Sequence, residues 1–287
     1  MPENKTNFFF PIIDTWPDYF ENPHEGLGTV YERFLLHRFF DRLKQDYAVR
    51  SVLEVPSFGM TGVSGVNSLW WARQGIVPVV MDNDLLRLQK VREVWRHLHL
   101  QARFVYDRDF ATLPFADGAF DLSFNFASLW FVPHLIPFLN ELSRVTAKAI
   151  FISVPNRFGI GYQLRLHWPG TVRPALKYEH VKARAFVPHL RKLGWQLADK
   201  GYFDIPPWPD FPLKKEVLLQ RLGLRFILKI LKQNGNESNQ RVSILDYFSG
   251  VRPHLDREVL KYGFLEKAPW PVRALWAHHR YYLFVKD

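Results

Sequence analysis

At 287 residues, 47% of them hydrophobic and 16% aromatic, the chain carries enough apolar material for one large core or two small ones. It has no cysteine, which excludes a disulfide framework, a thiolate metal site and a cysteine nucleophile together. A formal charge of +10 calls for an anionic partner, and the excess lies in the second half, in a basic run from Arg157 through Arg173 and Lys182 to Lys232.

Taken in chain order, the first element is a helix over Thr29–Leu43, where Val30, Phe34, Leu35, Phe39 and Leu43 recur at helical spacing within an N-terminal cap of residues 1–50. From Ser51 the chain alternates short β-branched runs with amphipathic stretches, the sequence form of βαβ units. Five strands are predicted at Ser51–Val55, Ile76–Met81, Ala102–Tyr106, Phe120–Asn125 and Ala149–Val154. Helices fall near Gly65–Gln74, Asp84–Leu98 and Pro133–Val145. A helix at Arg184–Leu193, a strand at Trp195–Ile205 and a closing strand at Arg280–Lys286 complete an α/β unit spanning 51–205 and 273–287. Between its last two strands lies an insertion, 206–272, expected to form a helical lid over the carboxyl ends of the strands. Its long predicted helix, Lys214–Lys232, sets Lys214, Arg221, Arg225, Lys229 and Lys232 on one side and Leu219, Leu222, Phe226 and Ile230 on another. That pattern suits a lid with a solvated basic face or a helix resting on an anionic membrane surface. No apolar run approaches the ~20 residues needed to span a bilayer, and Met1–Phe10 has no basic-then-apolar leader, so a cytoplasmic location is expected.

The chemistry concentrates where the first strand runs into Val55-Pro56-Ser57-Phe58-Gly59-Met60-Thr61-Gly62 and then a helix. Such a glycine-containing turn lets backbone N–H groups approach a nucleotide-like ligand without Cβ obstruction. About 20 residues on, the second strand ends at Asp82-Asn83-Asp84, the place for a carboxylate that accepts from both ribose hydroxyls. Asp109 precedes Phe110, and Leu113-Pro114-Phe115 leads through Asp117-Gly118 to the fourth strand.

Together these fragments resemble the class I S-adenosylmethionine-dependent methyltransferases, in particular the small-molecule branch related to ubiquinone and menaquinone methyltransferases. The resemblance covers about Tyr31–Ile205 and the final strand. It implies a Rossmann-like methyltransferase fold, a mostly parallel sheet with helices on both faces, and S-adenosylmethionine as cofactor. By the same resemblance Glu54 is the acid of the first motif, Asp82 with Asn83 the ribose end, and Asp109 with Phe110 the pair beside the adenine. Asn125 and Phe126 fall beneath the sulfonium, and His180 stands at the entry to the last helix. One departure stands out: the family's loop reads acid-x-Gly-x-Gly-x-Gly, whereas here Pro56 replaces the first glycine. The turn is left to Gly59 and Gly62, with one N–H donor removed.

An imidazole near its ordinary pKa of ~6.5 can take a proton at neutral pH, so His180 is the candidate general base, or else a structural residue at a helix start. Metal-ligand spacing is absent from His97 and His99 and from the adjacent His278 and His279, so no metal is expected. The expected activity is methyl transfer to a small apolar or aromatic acceptor. The alternative is a binding protein that has lost turnover through its altered loop. RNA methylation is the weaker reading: no RNA-binding module is appended, and Asn125-Phe126-Ala127-Ser128 stands where amino-methylating relatives carry Pro-Pro-Tyr or Pro-Pro-Phe.

Overall fold

The computed structural model describes residues 15–59, 62–167, 175–205 and 242–286. Seven strands, β1 (Val52–Glu54), β2 (Val79–Asp82), β3 (Arg103–Tyr106), β4 (Phe120–Phe126), β5 (Thr146–Pro155), β6 (Gln196–Phe203) and β7 (His279–Val285), form one sheet in the order β3-β2-β1-β4-β5-β7-β6. Strands β1 to β5 pair in parallel, while β7 runs antiparallel to both β5 and β6. The order reverses between β1 and β4, and it is at such a switch point that an open α/β sheet binds its ligand. This is the Rossmann-like methyltransferase fold that the resemblance implied.

Helices cover both faces. On one side α1 (Gly26–Asp46) buries Phe34, Leu36 and Phe40 against Trp71, Phe124 and Phe151. On the other, α4 (Leu135–Val145) buries Leu135, Phe138, Leu139, Leu142 and Val145, the i, i+3, i+4, i+7 face of an amphipathic helix. Together with α6 (Ala183–Lys192), it closes over Trp130, Trp195 and Tyr282. Each such side chain contributes roughly 1.5–3 kcal/mol by leaving water.

Three predicted elements shift. The helix expected from Gly65 begins at Leu69 and ends at Arg73, forming α2, because Gly65 is at φ +67° and the side chains of Asn67 and Ser68 are committed to Glu54. The first helix is longer than predicted at both ends, and α3 (Leu85–His97) starts with Asp84 as its N-cap, accepting from Arg87 N at 3.0 Å. A helix α5 (Ile160–His167) follows β5, where none was predicted.

The predicted helix 214–232 lies outside the described residues, as do Met60, Thr61 and Trp208. The described remainder of the insertion holds α7 (Ile244–Phe248), α8 (Leu255–Leu260) and α9 (Trp270–Trp276). Ile244, Phe248, Leu255 and Val259 are buried in the same apolar cluster as Phe34 and Leu35, so this stretch completes the core on the α1 face. No helix among the described residues is long and apolar enough to cross a membrane.

Candidate functional site

The carboxyl ends of β1, β2 and β4 bring together most of the residues singled out in the sequence. Glu54, at the end of β1, is buried. Its Oε2 accepts from Ser68 Oγ at 2.6 Å and its Oε1 from Asn67 Nδ2 at 3.2 Å. Asn67 Oδ1 accepts in turn from Arg33, whose guanidinium also grips Glu25 Oε1 at 2.6 Å and the Val63 carbonyl at 2.8 Å. Glu25 further accepts from the backbone of Val63 and of Ile244. One buried ionic network therefore fixes the glycine turn to α1 and to the start of α7.

Gly62 is the residue this packing requires. It sits at φ +62°, and a Cβ there would run into the Glu25 carboxylate. Gly62→Ala should therefore destabilise the chain by about 2 kcal/mol or more, left-handed strain adding to displacement of a buried ion pair. A urea midpoint equal to that of the natural sequence would contradict this. Gly59 is the second close approach, with a hypothetical Cβ 3.3 Å from the Phe126 carbonyl.

Burial pushes the Glu54 carboxyl up to about 7, against the pull of its Ser68 and Asn67 hydrogen bonds. A folded-state value above the ordinary one means that the folded chain holds a proton the unfolded chain has already released. This contribution to stability is present below about pH 4.5 and is lost as pH rises to about 7. Glu54→Gln should remove that increment, so the urea midpoint should fall less between pH 5 and pH 8 in the variant than in the natural chain. Equal falls in the two proteins would show that Glu54 is charged at both pH values.

Asp82 is fully buried at the end of β2, and its oxygens are already engaged. Oδ2 accepts from Arg87 Nε at 2.9 Å and from Ser57 Oγ at 2.8 Å; Oδ1 accepts from the backbone of Asp84 at 2.9 Å and from Arg87 Nη2. Asn83 Oδ1 lies 3.3 Å from the same guanidinium. Arg87 is itself only 5% exposed, its guanidinium 3.9 Å above the Phe58 ring, and Phe58 packs on Phe131. The expected ribose acid thus stands where the fold requires, but an arginine of the first turn of α3 holds its acceptor positions.

The remaining predicted residues are distributed around this point. Pro56 follows a cis Val55–Pro56 bond, and its carbonyl accepts from Ser128 Oγ at 3.1 Å. Asn125 is buried and ties β4 back to β1, donating to the Val55 carbonyl at 2.9 Å. Phe126 lies against His279, ring centroids 5.2 Å apart. Asp109 caps its own turn by accepting from Ala111 N at 3.0 Å, and Phe110, at φ +59°, is fully buried beneath it. His180 is half-buried beside the carbonyls of Leu129 and Val132, and burial lowers its pKa, which keeps the imidazole neutral and able to accept a proton.

The sequence reading did not find Ser57, Arg87, Glu25 or Arg33. A signal for Arg87 was present: a basic residue in the first turn of a helix opposes the dipole, so it needs a carboxylate partner nearby. For Glu25 and Arg33 there was none, since they pair with each other across eight positions and their other partners lie 30 or more positions away.

Residues 60–151 match a family model described as a methyltransferase domain. No curated protein matches. Among solved structures, the chain is similar to a putative sarcosine dimethylglycine methyltransferase from Galdieria sulphuraria, at 11% identity and TM-score 0.47 over 88% of this chain and 85% of that one. It is also similar to the YcgJ protein of Bacillus subtilis, at 12% identity and TM-score 0.47 over 88% of this chain and 98% of that one. A third is an S-adenosylmethionine-dependent methyltransferase from Aquifex aeolicus, at 14% identity and TM-score 0.42 over 57% of this chain and 83% of that one. Residues 60–151 are thus similar to a methyltransferase domain, and the sheet order is that of the Rossmann-like methyltransferase fold.

Proposed function

We propose that this chain methylates a small apolar or aromatic acceptor that carries an acidic group. The observation behind this reading is a cavity of about 360 Å³ at the carboxyl end of β5, one strand from the switch point. Val154, Pro155, Phe158, Val181 and Tyr282 supply apolar lining, and Arg157, Lys182, Arg184 and Arg280 supply a basic rim. An apolar lining with a few charged groups orients a small molecule by its polar end, and the charge here selects an anion. When bound, the sulfonium of the cofactor supplies an activated methyl group, so the protein's task is alignment and proton removal.

In this reading Glu54, Gly59, Gly62, Asp82, Asn83, Asp109 and Phe110 surround the cofactor, with Pro56, Asn125 and Phe126 at its sulfonium end. They fit it in position, on one condition: the ribose hydroxyls must replace Arg87 on Asp82. His180 is proposed as the base for an acceptor that must lose a proton. Residues 206–272 are proposed as the lid, and the basic stretch 214–232, which lies outside the described residues, as a membrane contact. The ubiquinone-like branch is likewise a proposal.

The test is incubation with methyl-labelled S-adenosylmethionine and paired acceptors, hydroxylated aromatic acids against their neutral amides. Label should pass to the acids in preference. Label in neither set, although the cofactor binds, would favour the non-catalytic reading, for which the Arg87–Asp82 pair is the specific support.

A further inference from the structure

Three buried residues on the α1 face, none of them assigned a part in the proposed methyl transfer, meet beside Phe126. Glu32 projects from α1, Asp204 follows β6, and His279 opens β7; their relative exposures are 3%, 1% and 5%. They lie far apart in the chain; the pairing of Phe203 with His279 sets Asp204 beside His279, and the packing of α1 on the sheet brings Glu32 to them. One ligand-type atom from each, two carboxylate oxygens and an imidazole nitrogen, lies within 4.8 Å of the others. Glu32 Oε2 is 3.0 Å from His279 Nε2, the spacing of two ligands adjacent on one ion.

Asp204 provides an independent observation. Its Oδ2 faces His278 Nδ1 at 2.8 Å, but its Oδ1, equally removed from water, has no hydrogen-bond partner. A carboxylate oxygen left bare in an apolar interior costs about 1–3 kcal/mol or more, and natural folds leave few such atoms without a role. Nearby Glu266 adds a third carboxylate, accepting from Ile205 N at 2.7 Å and from Tyr31 Oη at 2.9 Å. Three carboxylates gathered inside a protein ask for a cation.

We infer that Glu32, Asp204 and His279 bind one divalent first-row transition-metal ion. Two carboxylates and one imidazole are an oxygen-rich set suited to Mn(II), Fe(II) or Zn(II). Ligand atoms about 2.1 Å from an ion lie at most about 4.2 Å apart, so the side chains need to draw in by no more than roughly half an ångström. His278 then becomes the outer partner that orients Asp204, the usual arrangement around a metal-bound carboxylate. The His279 ring is held between Phe126 and Phe203, which restricts its rotation. With three protein ligands, coordination positions remain for water or for an oxygen of a bound molecule. The inference stands independently of the acceptor reading.

The full chain, stripped with EDTA and dialysed, should bind Mn(II) or Zn(II) at one equivalent by calorimetry. Asp204→Asn and His279→Gln should each weaken that binding at least about tenfold. Glu93→Gln, which removes an exposed carboxylate of α3, should leave it unchanged. If either triad variant fails to fold, the isosteric Glu32→Gln takes its place. Co(II) added to the natural chain should also produce a visible absorption band that saturates at one equivalent and is displaced by Zn(II). Absence of binding by the folded natural chain, or equal affinity in folded triad variants, would overturn the site and leave the cluster a buried hydrogen-bond network.

Discussion

Arg87→Leu should bind S-adenosylmethionine about tenfold more tightly than the natural chain while being less stable in the absence of ligand. In the structure the Arg87 guanidinium occupies both Asp82 oxygens. Any ligand that needs this carboxylate must first displace it, and an affinity measured on a largely closed population is reduced by the open fraction. A tenfold gain corresponds to about 1.4 kcal/mol. Leucine keeps apolar contact with Phe58 but removes the cationic partner of a fully buried acid, which costs on the order of 3–5 kcal/mol of stability. Calorimetry and urea unfolding read the two effects separately. Unchanged or weaker cofactor binding by a folded Arg87→Leu chain would mean that Arg87 does not compete for the site.

Asp82→Ala should have the opposite effect on binding, weakening cofactor affinity by about 1.5–3 kcal/mol through loss of a charged acceptor for two hydroxyls. It should also lower stability, because Arg87 is then buried without its main partner. The double variant separates the roles. Asp82→Ala with Arg87→Leu should recover stability relative to either single change, since no charge is left unpaired, yet should bind cofactor as weakly as Asp82→Ala alone. If the double variant binds like the natural chain, the ribose is held elsewhere and the assignment of β2 to the cofactor is wrong.

Much of this fold could be read from local pattern. The strands Ser51–Val55, Phe120–Asn125 and Ala149–Val154 are β-branched or aromatic runs with nothing else to be, and they are found within a few residues of their predicted bounds. The turn before α2 was misread because its course depends on Glu54, Glu25 and Arg33, partners that periodicity does not reveal. At the site, the position of Asp82 was legible because a carboxylate at the end of a second strand is a local feature. Its occupancy by Arg87 was legible only in part: a basic residue in the first turn of α3 needs a carboxylate nearby, but the spacing does not say which one a long side chain turns to. The triad of Glu32, Asp204 and His279 was wholly illegible. Adjacent histidines carry no ligand spacing of their own, and only the antiparallel β6–β7 pairing sets His279 beside the residue that follows Phe203.

We propose that the glycine turn and the carboxyl ends of β1 and β2 bind S-adenosylmethionine. Calorimetric titration of the full natural chain and of Arg87→Leu with millimolar S-adenosylmethionine should show one site per chain in both proteins, tighter in the variant. No heat and no thermal stabilisation in either folded protein would mean that this end of the sheet does not hold the cofactor.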